Sequence, residues 1–110
     1  MENMPTEIAN NVEDGIHVVG VQNDPEKDYL LWQRAKAEKS IHFEWNGQAN
    51  SGYDIVKECS LDRDGIHIVL SDNKLVHFYF QKCSKEDWEI LVDGLRNIYS
   101  NDSSILEIYR

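Results

Sequence analysis

Residues 61–80 read Leu-Asp-Arg-Asp-Gly-Ile-His-Ile-Val-Leu-Ser-Asp-Asn-Lys-Leu-Val-His-Phe-Tyr-Phe, and this stretch decides the fold class. The runs 66–70 and 75–80 are rich in β-branched and aromatic residues, as is typical of half-buried strands. Asp64-Gly65 favours a tight hairpin turn, and Asp72-Asn73 favours a second tight connection. Because short polar turns leave no room for crossovers, the stretch predicts neighbouring antiparallel strands.

The same pattern extends towards the N-terminus. Residues 41–45 alternate apolar and polar side chains, and a polar loop at 46–52 separates them from a predicted strand at 53–61. Two further strands are predicted at 15–21 and 29–35. We expect residues 1–13 to be a flexible lead-in, with room for a short strand near Ile8, and residues 14–110 to form a single domain.

The region 85–99 predicts a helix, because its apolar residues recur at the spacing of one helical face. That face comprises Trp88, Leu91, Val92, Leu95, Ile98 and Tyr99. Ser84 is a suitable N-cap, and Gly94 indicates close packing of the helix against a sheet. A weak alternation at 105–109 is compatible with a final edge strand. The sequence therefore predicts an α+β fold: one curved antiparallel sheet of about six to seven strands, with one C-terminal helix packed on a face.

The composition favours a self-sufficient core and an acidic surface. Of 110 residues, 41% are hydrophobic, which predicts folding without a metal or a disulfide. Twenty acidic residues against eleven basic ones give a formal net charge of −9. Such a surface repels phosphate backbones and anionic membranes, and it attracts basic partners. We therefore expect no binding to nucleic acid or membranes.

The sequence predicts a cytoplasmic protein, because it has neither a signal-peptide pattern at residues 1–13 nor a run of about 20 apolar residues. Cys59 and Cys83 lie too far apart for a zinc knuckle or a redox pair. We expect both to be reduced thiols, packed in or near strands.

The sequence shows no catalytic or cofactor-binding motif, so we predict that the protein is not an enzyme and holds no cofactor or metal. The four histidines each follow a β-branched residue, and we expect them on the partly exposed face of a sheet. Two alternatives remain open. In one, His42, His67 or His77 act as acid–base groups of a small enzyme or ligand-binding domain. In the other, the 105–109 strand serves an adaptor or oligomerisation module.

Acidic residues are concentrated on the predicted loops and turns, which favours a protein-binding role. They are Asp14, Asp24, Glu26, Asp28, Asp54, Asp62, Asp64 and Asp72. Aromatic residues carry much of the energy of protein interfaces, so Trp32, Trp45, Tyr53 and Tyr79 are candidate anchors, although core packing is the commoner role of such residues.

Several motifs resemble bacterial immunity proteins, in particular the immunity protein 10 family. They are Tyr29-Leu-Leu-Trp-Gln-Arg34, Ile41-His-Phe-Glu-Trp-Asn-Gly-Gln48, Ser51-Gly-Tyr53 and Cys59-Ser-Leu-Asp-Arg-Asp-Gly65. The resemblance covers roughly residues 29–99, including a closing helix. It implies an antidote to a polymorphic or contact-dependent toxin, which binds the cognate toxin and blocks its active site or the access of substrate.

A nuclease toxin would have a basic active-site cleft, which an acidic protein can occupy. We therefore expect a basic cognate toxin, a nuclease or RNase domain, as the partner of a monomer in a 1:1 complex. The expected contacts are Tyr53, Asp54, Glu58, Asp62, Asp64 and Asp72.

Overall fold

The computed structural model of the protein describes residues 5–110, which form nine strands, one α-helix and a short 3-10 helix. The elements in chain order are β1 (Glu7–Glu13), β2 (Ile16–Asp24), β3 (Asp28–Ala35), β4 (His42–Trp45), β5 (Ser51–Tyr53), β6 (Val56–Leu61), β7 (Gly65–Leu70), β8 (Leu75–Tyr79), α1 (Lys85–Ile98), a 3-10 turn (Ser103–Ile105) and β9 (Leu106–Ile108). The strands lie in two sheets, ordered β1-β2-β3-β4-β5 and β8-β7-β6-β9.

The five-stranded sheet is an antiparallel meander whose alternate residues point to opposite faces. Its inner face is fully buried at the centre, where it supplies Val19, Val21, Leu30, Trp32 and Phe43 to the core. Burial of apolar surface is worth about 25 cal/mol per Å², so this face is a main source of stability. The opposite face of the same strands is only partly covered.

The four-stranded sheet is built from the β6–β7–β8 hairpins, to which β9 adds a strand parallel to β6. The inner residues of this sheet join the same core as the first sheet; they are Val56, Cys59, Leu61, Ile66, Ile68, Leu70, Val76 and Phe78. The molecule therefore has one continuous hydrophobic core between its layers.

The helix begins at the predicted N-cap, where the Ser84 hydroxyl accepts a 3.1 Å hydrogen bond from the Asp87 N–H. Its apolar face is buried, and Gly94 lies directly over β2. A Cβ atom added at Gly94 would stand 2.9 Å from Cγ2 of Val19, so the close packing inferred from this glycine is confirmed.

Arg34 fastens the C-terminal end of the helix to β3. Its guanidinium donates to the carbonyl oxygens of Ile98 and Asn97 at 3.1 and 2.9 Å, and to that of Glu38 at 3.1 Å. The last carbonyls of a helix lack partners within the helix, so a buried cation at this end stabilises both the charge and the carbonyls.

The predicted α+β class with one C-terminal helix is confirmed. The strands number nine and form two sheets, where the sequence predicted one sheet of about six to seven strands. The boundary between the two sheets falls inside the predicted strand 53–61, because Asp54 adopts a left-handed backbone with φ of 55°. This residue ends β5, and the chain then enters β6 of the other sheet.

Residues 7–13 differ from the expected flexible lead-in, because they form β1 and pair along their whole length with β2. Residues 1–4 of that expected segment lie outside the described residues. Both cysteines are free thiols, as predicted. Burial raises the pKa of the Cys59 thiol to about 12, so this thiol stays protonated and unreactive. No helix within residues 5–110 is long and apolar enough to cross a bilayer.

Candidate protein-binding surface

The face of the five-stranded sheet that points away from the helix carries four rows of side chains running across the strands; we call it the outer face. The strand register places them in line. The first row is Glu7, Gln22 and Tyr29; the second is Ala9, Gly20, Leu31, Glu44 and Ser51; the third is Asn11, Val18, Gln33, His42 and Tyr53; the fourth is Glu13, Ile16 and Ala35. Directly opposed residues on neighbouring strands are close enough to contact each other, so each row forms a continuous strip.

A groove of about 340 Å³ crosses the outer face between the first two rows. Its floor lies low because Ala9 and Gly20 have almost no side chain. Tyr29 and Leu31 line it, and the carboxylates of Glu7 and Glu44 stand at its two sides. The result is an apolar depression that is flanked by negative charge.

Neutral donors hold both of these carboxylates. The Tyr29 hydroxyl donates to Oε2 of Glu44 and accepts a 3.0 Å hydrogen bond from the Gly47 N–H. Burial, followed by the bond to Glu44, raises the pKa of Tyr29, so the phenol remains a donor at neutral pH. On the other side, Nε2 of Gln22 donates to Oε2 of Glu7 at 3.0 Å. Glu44 is therefore oriented, and its charge is not neutralised.

Cations do not pair with the groove carboxylates. Within residues 5–110, the side-chain ion pairs join Asp62 to His67 and Glu89 to Arg110. Glu7 and Glu44 take part in neither. The β2–β3 turn, whose Pro25 lines the groove, carries three acidic residues, Asp24, Glu26 and Asp28, against one cation, Lys27. This end of the outer face is therefore a focus of unbalanced negative charge.

The geometry of the β2–β3 turn fixes Asp24 in its charged form. Its Oδ1 accepts hydrogen bonds from the N–H groups of Glu26 and Lys27, at 2.8 and 3.0 Å. These two bonds lower the pKa of Asp24, with the Glu26 bond the larger cause. Asp24 therefore retains its negative charge well below neutral pH.

Of the six residues predicted as contacts, Tyr53 lies on the outer face. Its side chain is 68% exposed, and its ring meets that of His42 edge-on, with centroids 5.0 Å apart. Asp54 follows at the sheet edge, where Oδ1 accepts from the Ile41 N–H at 2.9 Å and its own N–H donates to the Ile41 carbonyl at 2.8 Å. Asp54 thus closes the end of the β4–β5 ladder.

The other four predicted residues lie on the second sheet, where Asp62 and Asp64 share one turn and Asp72 lies apart from them. Glu58 is exposed on β6, and Asp62 and Asp64 lie in the turn after that strand. Asp72 lies in the β7–β8 turn, at the opposite end of the sheet. A six-residue strand separates the two ends by about 20 Å. The six residues are thus divided between the first sheet and two ends of the second sheet, and their role as contacts stays a prediction.

Two of these aspartates shape turns. Oδ1 of Asp62 accepts from the N–H groups of Asp64 and Gly65 at 2.7 and 2.9 Å, and Oδ1 of Asp72 accepts from the Lys74 N–H at 3.0 Å. Partial burial acts to raise the pKa of Asp62, but the two backbone bonds, together with His67, outweigh it and lower that pKa. Their placement on turns thus has a structural reason.

Two histidines meet on the solvent side of the four-stranded sheet. His67 and His77 are directly opposed in the β7–β8 register, with their Nδ1 atoms 2.8 Å apart, and Oδ2 of Asp62 lies 3.3 Å from Nε2 of His67. Both therefore lie on the partly exposed face of a sheet, as predicted. The same prediction is wrong for His17, which is buried on the inner face and bonded to Asn10. Within residues 5–110, no group of three or more metal-ligating side chains is present.

The sequence alone does not predict the groove, since the residues that line it come from four strands and span positions 7 to 44. The alternation at 41–45 correctly set Glu44 apart from Phe43, but only the register shows that Glu44 stands beside Leu31 and Gly20. Comparison with known proteins gives no match to a family model, a curated protein or a solved structure.

Proposed function

We propose that this protein is a non-enzymatic immunity protein, which binds a basic cognate toxin and blocks its active site. The observation that carries the proposal is the outer face, where Glu7 and Glu44 flank an apolar groove and have no cationic partner within residues 5–110. An exposed surface with oriented, unpaired carboxylates is suited to a positively charged protein.

The charge of the whole chain supports the same partner. A net charge of −9 accelerates the encounter with a basic protein and disfavours nucleic acid as a ligand. A nuclease toxin is the partner that fits best, because its active-site cleft must be basic to hold phosphate groups. Occupation of such a cleft by carboxylates would exclude the substrate.

The motifs that resemble the immunity protein 10 family contribute residues to the outer face. They supply His42 and Glu44 from β4, and Ser51 and Tyr53 from β5, and all four positions lie on the outer face. The same motifs thus contribute both the anionic group of the groove and the most exposed aromatic ring of the face.

Co-expression with the product of the gene adjacent and upstream tests the proposal. We expect the two proteins to co-purify as a 1:1 complex, and we expect this protein to restore growth to cells that express the toxin. Because the association is electrostatically steered, its rate constant should fall steeply as salt rises from 50 to 500 mM. Absence of both binding and rescue would refute the proposal.

The His67–His77 pair favours a second candidate, a small ligand-binding domain or enzyme that uses strand histidines. The depression of about 220 Å³ beside His67 is lined also by Glu58, Ser60 and Glu107. Replacement of both histidines with glutamine separates the candidates. An immunity protein that binds through the outer face keeps its rescue activity, whereas a histidine-dependent protein loses its function.

A further inference from the structure

We infer that the groove on the outer face receives an arginine side chain of the partner, with its guanidinium on Glu44 and its aliphatic stem on the floor formed by Ala9, Gly20 and Leu31. This inference rests on the proposed function, since it assigns the contact through which the basic partner is recognised. It commits the groove to a basic protein segment as its occupant.

The shape and polarity of the groove match an amphipathic cation. Arginine and lysine carry an apolar stem that can lie on apolar surface while the charged head reaches a carboxylate. In the groove, the apolar surface of Leu31 and the carboxylate of Glu44 are directly opposed across the β3–β4 pair. A side chain that lies across Gly20 can therefore contact both groups at once.

Glu44 is better prepared for this contact than Glu7. Glu44 is half-buried and held by the Tyr29 hydroxyl, which itself accepts from the Gly47 backbone. Glu7 is exposed, and its contact is with the flexible amide of Gln22. An oriented and partly desolvated carboxylate forms a stronger charged hydrogen bond than a mobile one, because less entropy is lost and less water is displaced.

One guanidinium cannot serve both carboxylates. Glu7 lies on β1 and Glu44 on β4, so three strand spacings of about 4.8 Å separate their backbones by about 14 Å. Glu44 is therefore the anchoring carboxylate, and Glu7 acts at longer range through its charge.

Arginine suits the site better than lysine. The planar guanidinium is less strongly hydrated than an ammonium group and can donate two parallel hydrogen bonds to one carboxylate. Although Oε2 of Glu44 already accepts from Tyr29, each carboxylate oxygen has a second lone pair, so the bidentate geometry remains open.

Four variants of the full chain test the inference, among them Glu7→Gln, which removes the charge that acts at longer range. Gly20→Val fills the floor; its Cβ would make an ordinary 3.5 Å contact with Cδ1 of Leu31, and β-branched side chains suit a strand. Glu44→Gln removes the charge but keeps an acceptor for Tyr29. Asp93→Asn is the matched control, since it makes the same charge change on the exposed side of α1.

The first probe is the product of the adjacent upstream gene, with affinity measured by calorimetry. We expect Gly20→Val and Glu44→Gln each to weaken binding at least tenfold, Glu7→Gln to weaken it severalfold, and Asp93→Asn to change it less than twofold. Thermal unfolding of each variant shows that it is folded. Wild-type affinity in both folded groove variants would overturn the inference while leaving the proposed function intact.

The second probe does not depend on the toxin. A hexa-arginine peptide added to the ¹⁵N-labelled protein should shift the amide signals of Gly20, Leu31 and Glu44, more strongly than hexa-lysine does, and Gly20→Val should abolish these shifts. Shifts confined to the acidic turns at 62–64 and 72–73 would overturn the inference. The peptide could also bind in the groove while the wild-type protein neither binds the toxin nor rescues cells that express it. That result would count against the proposed function.

Discussion

The indole N–H of Trp32 donates a 2.9 Å hydrogen bond to the hydroxyl of Tyr99, and both side chains are almost completely buried. Trp32 lies at the centre of β3, and Tyr99 is the residue that ends α1. The bond therefore joins the middle of the five-stranded sheet to the end of the helix inside the core, where an unpaired donor would be costly.

Tyr99→Phe should destabilise the protein although the ring is retained. The substitution leaves the Trp32 N–H buried without an acceptor, which costs about 1–3 kcal/mol of the free energy of unfolding. Urea denaturation monitored by tryptophan fluorescence measures the loss. Tyr53→Phe removes a hydroxyl from an exposed ring and serves as the control. Equal stability of Tyr99→Phe and the wild type would contradict a stabilising role for the bond.

The stability of the protein should fall between neutral and mildly acidic pH because of His17. Burial, then the charges of Arg34 and Lys36, lower the pKa of His17 below its ordinary value of 6.5. The folded state therefore binds a proton less readily than the unfolded state. The resulting stabilisation is complete above about pH 6.5 and is lost as the pH falls through the lower, folded-state pKa.

His17→Gln isolates this contribution, because the glutamine amide can still donate to Oδ1 of Asn10, as Nε2 of His17 is placed to do. We expect the free energy of unfolding of the variant to change less than that of the wild type between pH 7.5 and pH 5. Urea titrations at several pH values supply the comparison. Parallel profiles for the two proteins would show that His17 is not the responsible group.

Gly65→Ala should strongly destabilise the protein, whereas Gly20→Ala should be tolerated. A Cβ at Gly65 would stand 2.1 Å from the carbonyl oxygen of Phe78, so β7 and β8 could not keep their spacing. At Gly20, the added methyl group would make an ordinary contact. We expect Gly65→Ala to lower the free energy of unfolding by at least about 3 kcal/mol, since backbone must move in a packed core. Thermal unfolding of the two variants tests the contrast.

Local signals in the sequence predicted individual elements well. The helix at 85–99 follows from its apolar periodicity and from Ser84, and the structure has it at Lys85–Ile98. The alternation at 41–45 gave the correct faces, with Phe43 buried. In both cases the residues that determine the element lie within a few positions of it, so a single sequence suffices to predict the element.

Long-range arrangement could not be predicted in the same way. The strand 53–61 was predicted as one piece, and only the left-handed backbone of Asp54 divides it between two sheets. Aspartate tolerates this conformation more readily than most residues, but it adopts it only where the surroundings require it. The groove depends on the register between β1 and β4, which follows from packing.

The division of the strands between the two halves of the chain has a consequence for biosynthesis. Strands β1 to β5 are complete at residue 53, but their inner face is covered by α1 and by strands that the ribosome makes later. Until those residues emerge, Trp32 and Phe43 remain uncovered on a nascent sheet that resembles an aggregation-prone intermediate. Native structure can therefore be reached only after β9 has left the ribosome, and the yield of folded protein should depend on chaperones that shield the unfinished sheet.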